Sequence, residues 1–341
     1  MVPSAPAGRG LTRNQLRRRA VMRALAEHGL NEVLSYPFVG DVHDRLQVPP
    51  DDPRRTMVRL ANPIAEDAPY LRTSLLATLL EVGRRNVGRG NDLAIVETGL
   101  VTVGGEHAGS PLPPVAQLPD PVTLAAIHES VPEQPLHVAA LAAGPLAPGG
   151  ALGTPRPVDW ADAIELAQLV GRTVGVRMEP QRAEYAPWHP GRCAALTAGG
   201  AVVGHAGELH PHVVEDLGLP ARTVAFELDL DAVFSAVPEG ALQVDPVSTF
   251  PLAKEDIALV MDASIPNGTA LAVVRAAAGD LAEEVRLFDD YRSGALGDGL
   301  KSLAFALRLR AADRTLTAKE IAEVRARVIG AAADELGARL R

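Results

Sequence analysis

From Lys301 to Arg310 the side chains alternate without a break. Leu303, Phe305, Leu307 and Leu309 fall on one parity, and Ser302, Ala304, Ala306, Arg308 and Arg310 fall on the other. A strand with one wholly apolar face must lay it on a core, and it leaves the opposite face for another purpose. The flanking segments supply the core. Residues 256–261 form a second apolar strand, Asn267 is placed to cap a helix ending near Gly279, and residues 285–291 form a third strand before a Gly-rich turn. Thr317-Ala318-Lys319-Glu320 has capping-box spacing, opening a helix to about Leu336, with a short last strand at 338–340.

The order βαββαβ over residues 246–341 is the ferredoxin-like split βαβ arrangement. Both helices of that fold cover one sheet face, so the leucine parity points inward. The small residues, Arg308 and Arg310 then line the open face, with Lys301 and Arg314 near opposite ends of the strand. RNA-recognition modules of similar topology use that face for nucleic acid. This strand carries no aromatic on that side, which favours phosphate contact over base reading. The candidate RNA-contacting set is therefore Lys301, Arg308, Arg310 and Arg314.

Upstream, residues 1–11 are Pro/Gly-rich and read as a linker. Thr12-Arg13-Asn14-Gln15 matches a capping box, followed by an apolar stripe of Leu16, Ala20, Val21, Ala24 and Leu25 that ends at Gly29. Residues 33–39 and 58–60 are expected as strands. A helix with Leu71, Leu75, Leu76, Leu79 and Leu80 on its buried side comes next, then a strand over 93–103 with a turn at Gly99. The apolar runs 122–127 and 138–142 are read as strands between Pro/Gly-rich loops at 108–121 and 144–157. Asp159 caps a helix expected to end at Gly171, and 193–196, 202–207 and 223–230 are strands. Residues 12–240 thus make a mixed domain with a largely antiparallel sheet, giving an α+β chain overall.

Composition narrows function. The net charge of −9 is uneven: residues 247–341 hold 13 Lys+Arg against 14 Asp+Glu, which leaves −8 upstream. RNA contact must therefore use a local patch. One cysteine, Cys193, permits no intrachain disulfide, and no apolar run approaches a membrane span. These features fit a cytoplasmic protein.

Several motifs resemble one family. Val58-Arg59-Leu60-Ala61-Asn62-Pro63, then Tyr70-Leu71-Arg72-Thr73-Ser74-Leu75-Leu76, is similar to a segment of bacterial phenylalanyl-tRNA synthetase beta subunits. Asn86 and Val96-Glu97-Thr98-Gly99 continue it, as do His189-Pro190-Gly191-Arg192, Gly204-His205-Ala206-Gly207-Glu208-Leu209-His210-Pro211 and Phe226-Glu227-Leu228-Asp229-Leu230. Phe250-Pro251, Asp256-Ile257-Ala258, Phe288-Asp289-Asp290-Tyr291 and Lys301-Ser302-Leu303-Ala304 resemble the family's C-terminal anticodon-binding domain.

The resemblance implies an α2β2 phenylalanine–tRNA ligase, in which a class II alpha subunit charges tRNA(Phe) using ATP and Mg²⁺. The beta subunit contributes a degenerate, catalytically silent class II synthetase-like module, here 12–240, and a ferredoxin-like anticodon-binding domain, here 246–341. Family beta subunits carry further upstream modules, including an editing domain, so this chain is read as a C-terminal fragment. Asn62, Arg72, Arg84 and Arg85 are the expected contacts to the alpha subunit; cations at 84, 85 and 89 would also suit the end of a helix. Two positions depart from the family pattern: Glu255 stands where an Arg is usual, and Ile164-Glu165 replaces Lys-Gly after Asp159-Trp160-Ala161-Asp162.

A class II active site needs an arginine on the strand that holds the ATP α-phosphate, and residues 92–100 contain none. No ATP site, cofactor, metal or catalytic residue is expected in this chain. His189, His205, His210 and His212 lie close in sequence, but Pro190 and Pro211 mark turns rather than zinc ligation. Cys193 reads as a small buried hydrophobe, the pair Glu208 and His210 as a closed turn, and Arg17-Arg18-Arg19 as a solvated helix face. The rival reading is a stand-alone module binding a protein or small ligand, and a third is an independent enzyme around 189–210. Co-purification with an alpha subunit separates the first from the second; the third needs a pocket of convergent, pKa-perturbed groups.

Overall fold

The computed structural model describes residues 10–90, 93–104, 110–145, 153, 156–240 and 248–341. Most of the expected linker, Asp92, the boundary at 241–247 and parts of both Pro/Gly-rich loops lie outside the described residues. Two compact units divide at Gly240.

The first unit opens with α1 (Arg13–Glu27), held by the Thr12–Gln15 capping box. Short strands β1 (Asn31–Glu32), β2 (Phe38–Val39) and β3 (Tyr70–Leu71) precede α2 (Leu76–Val87) and β4 (Leu93–Leu100). Then come α3 (Pro121–Glu129), β5 (Leu136–Ala143), α4 (Trp160–Val174), β6 (Glu179–Arg182), β7 (Trp188–Ala198), β8 (Ala201–Leu209), α5 (Pro211–Asp216), β9 (Val224–Asp229) and α6 (Leu230–Ser235). Seven strands form one sheet in the order β1-β4-β5-β9-β8-β7-β6, antiparallel apart from the β1–β4 pair. Period two sorts its faces. Val96, Val138, Ala140 and Phe226 pack with α1 and α4, while Ile95, Ala139, Leu141 and Ala225 pack with α2.

Several expectations are corrected. Residues 33–39 form no single strand, because β1 pairs in the main sheet and β2 pairs with β3 elsewhere. Residues 58–60 make one isolated bridge, Arg59 to Tyr70. The run 122–127 is helical: Asp120 accepts from the backbone N–H groups of Val122 and Thr123, and Pro121 fits the first turn. Gly99 is no turn; a Cβ there would lie 2.2 Å from Arg72 Nη2, so its bare backbone makes room for that guanidinium. Helix α4 runs past Gly171 to Gly175, whose φ of 81° ends it.

The second unit contains β10 (Ala253–Asp262), α7 (Asn267–Ala278), β11 (Ala282–Tyr291), β12 (Leu300–Leu309), α8 (Ala318–Leu336) and β13 (Arg339–Leu340). Its sheet order is β11-β12-β10-β13, the ferredoxin-like topology. Leu303, Phe305, Leu307 and Leu309 are all buried against Val274, Val324 and Val328 of the two helices. The Thr317–Glu320 capping box is present. Asn267 does not cap α7. Its Oδ1 accepts from Lys301 Nζ at 2.8 Å, and Pro266 holds the cap position.

Candidate functional site

On β12 the alternation delivers Arg308 near the strand's C-terminal end, and Arg310 follows its last residue. Arg308 is half exposed and lies 3.2 Å from Glu284. Arg310 lies 2.8 Å from Glu283 and donates to the Ser248 carbonyl at 2.9 Å. Arg314, in the following loop, bonds Glu320 at 2.7 Å and Asp313 at 2.8 Å. Lys301 joins none of them. It is 1% exposed, and its ammonium donates to Asn267 Oδ1 and the Ile265 carbonyl. Its parity is that of Leu303, so the strand turns it inward, and a buried ammonium must find acceptors inside. It is corrected from RNA contact to an internal tie between β12 and α7.

Two cations were missed. Lys254 pairs directly across from Arg308, and Arg286 across from Ala306, so both share the open face. Both are exposed, and no ion pair engages either among the described residues. Alternation in β10 and β11 was the available signal, but it could not be used without the register. The same register turns Glu255 towards the helices, where it lies 3.9 Å from Arg325, so its carboxylate does not oppose this face. The face also holds Asp256, Glu284 and Asp289, which makes it mixed in charge. Phe288 and Tyr291 on β11 are exposed, and the Arg341 guanidinium lies 4.9 Å above the Tyr291 ring.

In the first unit Arg72 is 3% exposed. It donates to Glu97 at 2.8 Å, Thr78 at 2.7 Å, Ser35 at 3.0 Å and the Leu100 carbonyl at 3.2 Å. A guanidinium with four internal acceptors is buried wiring, which corrects its expected place at a subunit surface. Asn62 and Arg85 are exposed, and Arg84 pairs with Glu81 at 2.8 Å. Between α1 and α2, the apolar side chains Leu34, Tyr36 and Ile64 are 89%, 83% and 90% exposed, which the charge pattern did not announce. The arginine run on α1 is not wholly solvated: Arg18 bonds Thr98 at 2.9 Å and Arg17 bonds the Phe234 carbonyl at 3.3 Å.

A cavity of about 370 Å³ opens on the α2 face of the large sheet, lined by Ser74, His137, Tyr185, His205 and Glu227 among others. Glu227 accepts from Ser74 Oγ at 2.5 Å, Leu75 N at 2.9 Å, His137 Nδ1 at 2.8 Å and Leu76 N at 3.4 Å. Burial alone would raise this carboxyl, but the His137 hydrogen bond and charge outweigh it and hold it below the ordinary range. Burial likewise works to lower His137, and Glu227 reverses the sign and raises it. His205 stacks on Tyr185 at 3.9 Å, and burial pushes it down to about 4, a neutral ring at pH 7. Arg54 covers the Tyr185 ring at 4.0 Å and is held by Asp52.

These groups do not fit a nucleoside triphosphate with Mg²⁺. The arginine is spent on Asp52, and Glu227 is saturated by donors. The histidines do not converge. The rings of 189, 210 and 212 stack at 6.3 and 5.1 Å away from His205, and among the described residues no cluster has metal-holding geometry. Glu208 bonds Arg192 at 2.6 Å rather than His210, whose Nδ1 accepts from His212 N at the start of α5. Burial pushes the Cys193 thiol up to about 12, so it is no nucleophile at neutral pH.

Comparison with known proteins adds to this geometry. The family profile described as "Phenylalanyl tRNA synthetase beta chain CLM domain" matches residues 1–230, and "Ferredoxin-fold anticodon binding domain" matches 248–341. The chain is 49% identical over its full length to the phenylalanine–tRNA ligase beta subunit of Thermobifida fusca, and 47% to that of Streptomyces avermitilis. It covers 42% of each relative, so the chain spans about two-fifths of their length. Among solved structures, pyrrolysyl-tRNA synthetase from Desulfitobacterium hafniense superposes at TM-score 0.43 with 12% identity, over 65% of this chain and 68% of that one.

Proposed function

The chain belongs to the family of phenylalanyl-tRNA synthetase beta chains, and on that premise we propose that it supports a catalytic alpha subunit and binds tRNA(Phe) during aminoacylation. The observation that carries this reading is the anticodon-binding match over residues 248–341, the unit whose open sheet face gathers Lys254, Arg286, Arg308 and Arg310. Phosphates would meet Arg308 and Arg310 there, each giving up part of an acidic partner, together with Lys254 and Arg286, which no ion pair engages among the described residues; Arg314 would add to them from the following loop.

The first unit, 12–240, is read as a silent class II synthetase-like module. Its partner surface would include Asn62, Arg84 and Arg85, and the exposed Leu34, Tyr36 and Ile64 are further candidates for contact. Arg72 would support that surface from beneath. ATP and Mg²⁺ belong to the alpha subunit, the complete enzyme is α2β2, and its compartment is the cytoplasm.

The test is reconstitution. The chain should co-elute with its cognate alpha subunit, and the pair should retain tRNA(Phe) in preference to an unrelated tRNA. Phenylalanine-dependent ATP–pyrophosphate exchange should require the alpha subunit. Exchange by the chain alone, or failure to bind the alpha subunit at micromolar concentrations, would overturn the reading.

A further inference from the structure

We propose that the cleft between the start of α4 and the β6 edge of the large sheet binds a nucleotide, its base on Trp160 and its phosphate between Arg182 and Arg192. This site lies within the first unit and does not depend on the tRNA reading. The cleft measures about 270 Å³ and is lined by Trp160, Ile164, Gln181, Arg182, Arg192 and Cys193. That is slightly below the usual range of ligand pockets and limits the site to one mononucleotide.

Its two ends differ in chemistry. Trp160 is 44% exposed, and the capping box of Asp159 and Asp162 fixes its backbone as the first residue of α4. A large indole left in water at a cleft is a stacking platform for a base. At the other end, Arg182 lies on the edge strand β6, all four of whose residues are exposed. No acid pairs with it among the described residues.

Arg192 is held for the same purpose. It emerges where the β7–β8 ladder is interrupted between Trp188 and Cys193, and His189 Nδ1 accepts from Gly191 N at 2.9 Å to brace that bulge. Arg192 donates to the buried Glu208 at 2.6 Å, but Arg222 approaches the same carboxylate at 3.4 Å. Two guanidiniums on one carboxylate leave one positive charge uncompensated. Arg222 reaches it from a backbone with φ of 63°, a conformation that costs a non-glycine residue energy and so needs surrounding structure to hold it.

Beside Trp160, Arg156 grips Asp162 with two bonds of 2.6 Å and lies 4.0 Å from Asp159, so one of the two flanking acids is offset. Planar guanidiniums match phosphate oxygens in pairs. Inorganic phosphate would leave the indole unused, and a neutral aromatic would leave the arginines unused. A nucleotide engages both, whether free or within a single RNA strand. The Cys193 thiol, pushed up to about 12, stays protonated, so the cleft binds without covalent chemistry.

The test titrates the whole chain with AMP, adenosine, inorganic phosphate and hexa-adenylate. Trp160 is the exposed one of two tryptophans, so its quenching reports occupancy. AMP should bind about tenfold more tightly than adenosine or phosphate. R182A should weaken AMP by about fivefold and leave adenosine unchanged. W160L, followed by calorimetry, should lose AMP binding while Trp188 fluorescence reports an intact fold. Hexa-adenylate binding more tightly than AMP with the same R182A dependence assigns the site to an RNA strand; weaker binding assigns it to free nucleotides. AMP binding no tighter than phosphate, or indifferent to both substitutions, overturns the proposal.

Discussion

Glu227→Gln tests the buried heart of the first unit. The carboxylate accepts four hydrogen bonds, from Ser74, Leu75, Leu76 and His137, and so ties the start of α2 to β5 and β9. A glutamine keeps one oxygen for Leu75 and His137, and the Ser74 hydroxyl can rotate to accept from its amide. What it loses is the acceptor for Leu76 N and the negative charge beside His137, whose pKa that charge raises. Removing one partner of a buried ion pair costs about 3–5 kcal/mol, and the retained bonds place this change near the lower end, about 3 kcal/mol. For a unit of this size that is a fall of roughly 6–12 °C in Tm. Both tryptophans, Trp160 and Trp188, lie in the first unit, so fluorescence-detected melting reports it without the second.

The pH dependence follows from the two shifts. Glu227 sits below its ordinary 4.5, so its contribution is present above that value and is lost as pH falls through the folded pKa. His137 sits above its ordinary 6.5, so its contribution is full below that value and is lost as pH rises through the folded pKa. The gap in Tm between wild type and E227Q should therefore be widest between 4.5 and 6.5. H137Q/E227Q should cost less than the sum of its single changes by about 1–3 kcal/mol. Additive losses, or a Tm change under about 2 °C for E227Q, would refute the ion-pair account.

Arg308→Ala with Arg310→Ala should weaken tRNA binding by the reconstituted enzyme and reduce its salt slope by about one unit per lost phosphate contact, leaving adenylate formation untouched; filter binding across a salt series reads both. Lys301→Met should lower the stability of the second unit by about 1–3 kcal/mol through the orphaned Ile265 and Asn267 acceptors, measured by circular dichroism, without changing the tRNA salt slope. Thr317→Ala should cost about 1 kcal/mol by opening the α8 capping box, and Thr317→Asn should recover most of it in the same melt. Gly207→Ala should prevent accumulation of folded protein, since its Cβ would meet the Arg192 carbonyl at 2.1 Å, backbone against backbone; soluble yield after expression tests this.

Local signals told which segments are strands and helices when they were complete. The unbroken alternation of 301–310 predicts a half-buried strand, and the Thr12 and Thr317 boxes predict two helix starts, because each signal is closed within a few residues. Residues 122–127 form a helix where an apolar run suggests a strand, because six apolar residues carry no period; Asp120-Pro121 is the helix-start signal that decides. At the site, Arg308 and Arg310 were legible from parity alone. The same parity places Lys301 with Leu303, facing the core in spite of its charge.

The sequence by itself determined the ferredoxin-like order of the second unit, the inward leucine face of β12 and the family. Only the tertiary structure decided which residues meet. Arg72 reaches Glu97, Glu227 reaches Ser74 and His137, and Lys254 stands beside Arg308 because strand register and sheet order bring distant segments together. Those pairings depend on burying whole faces at once, and a period of two or 3.6 residues specifies which way a side chain points but not what it will face.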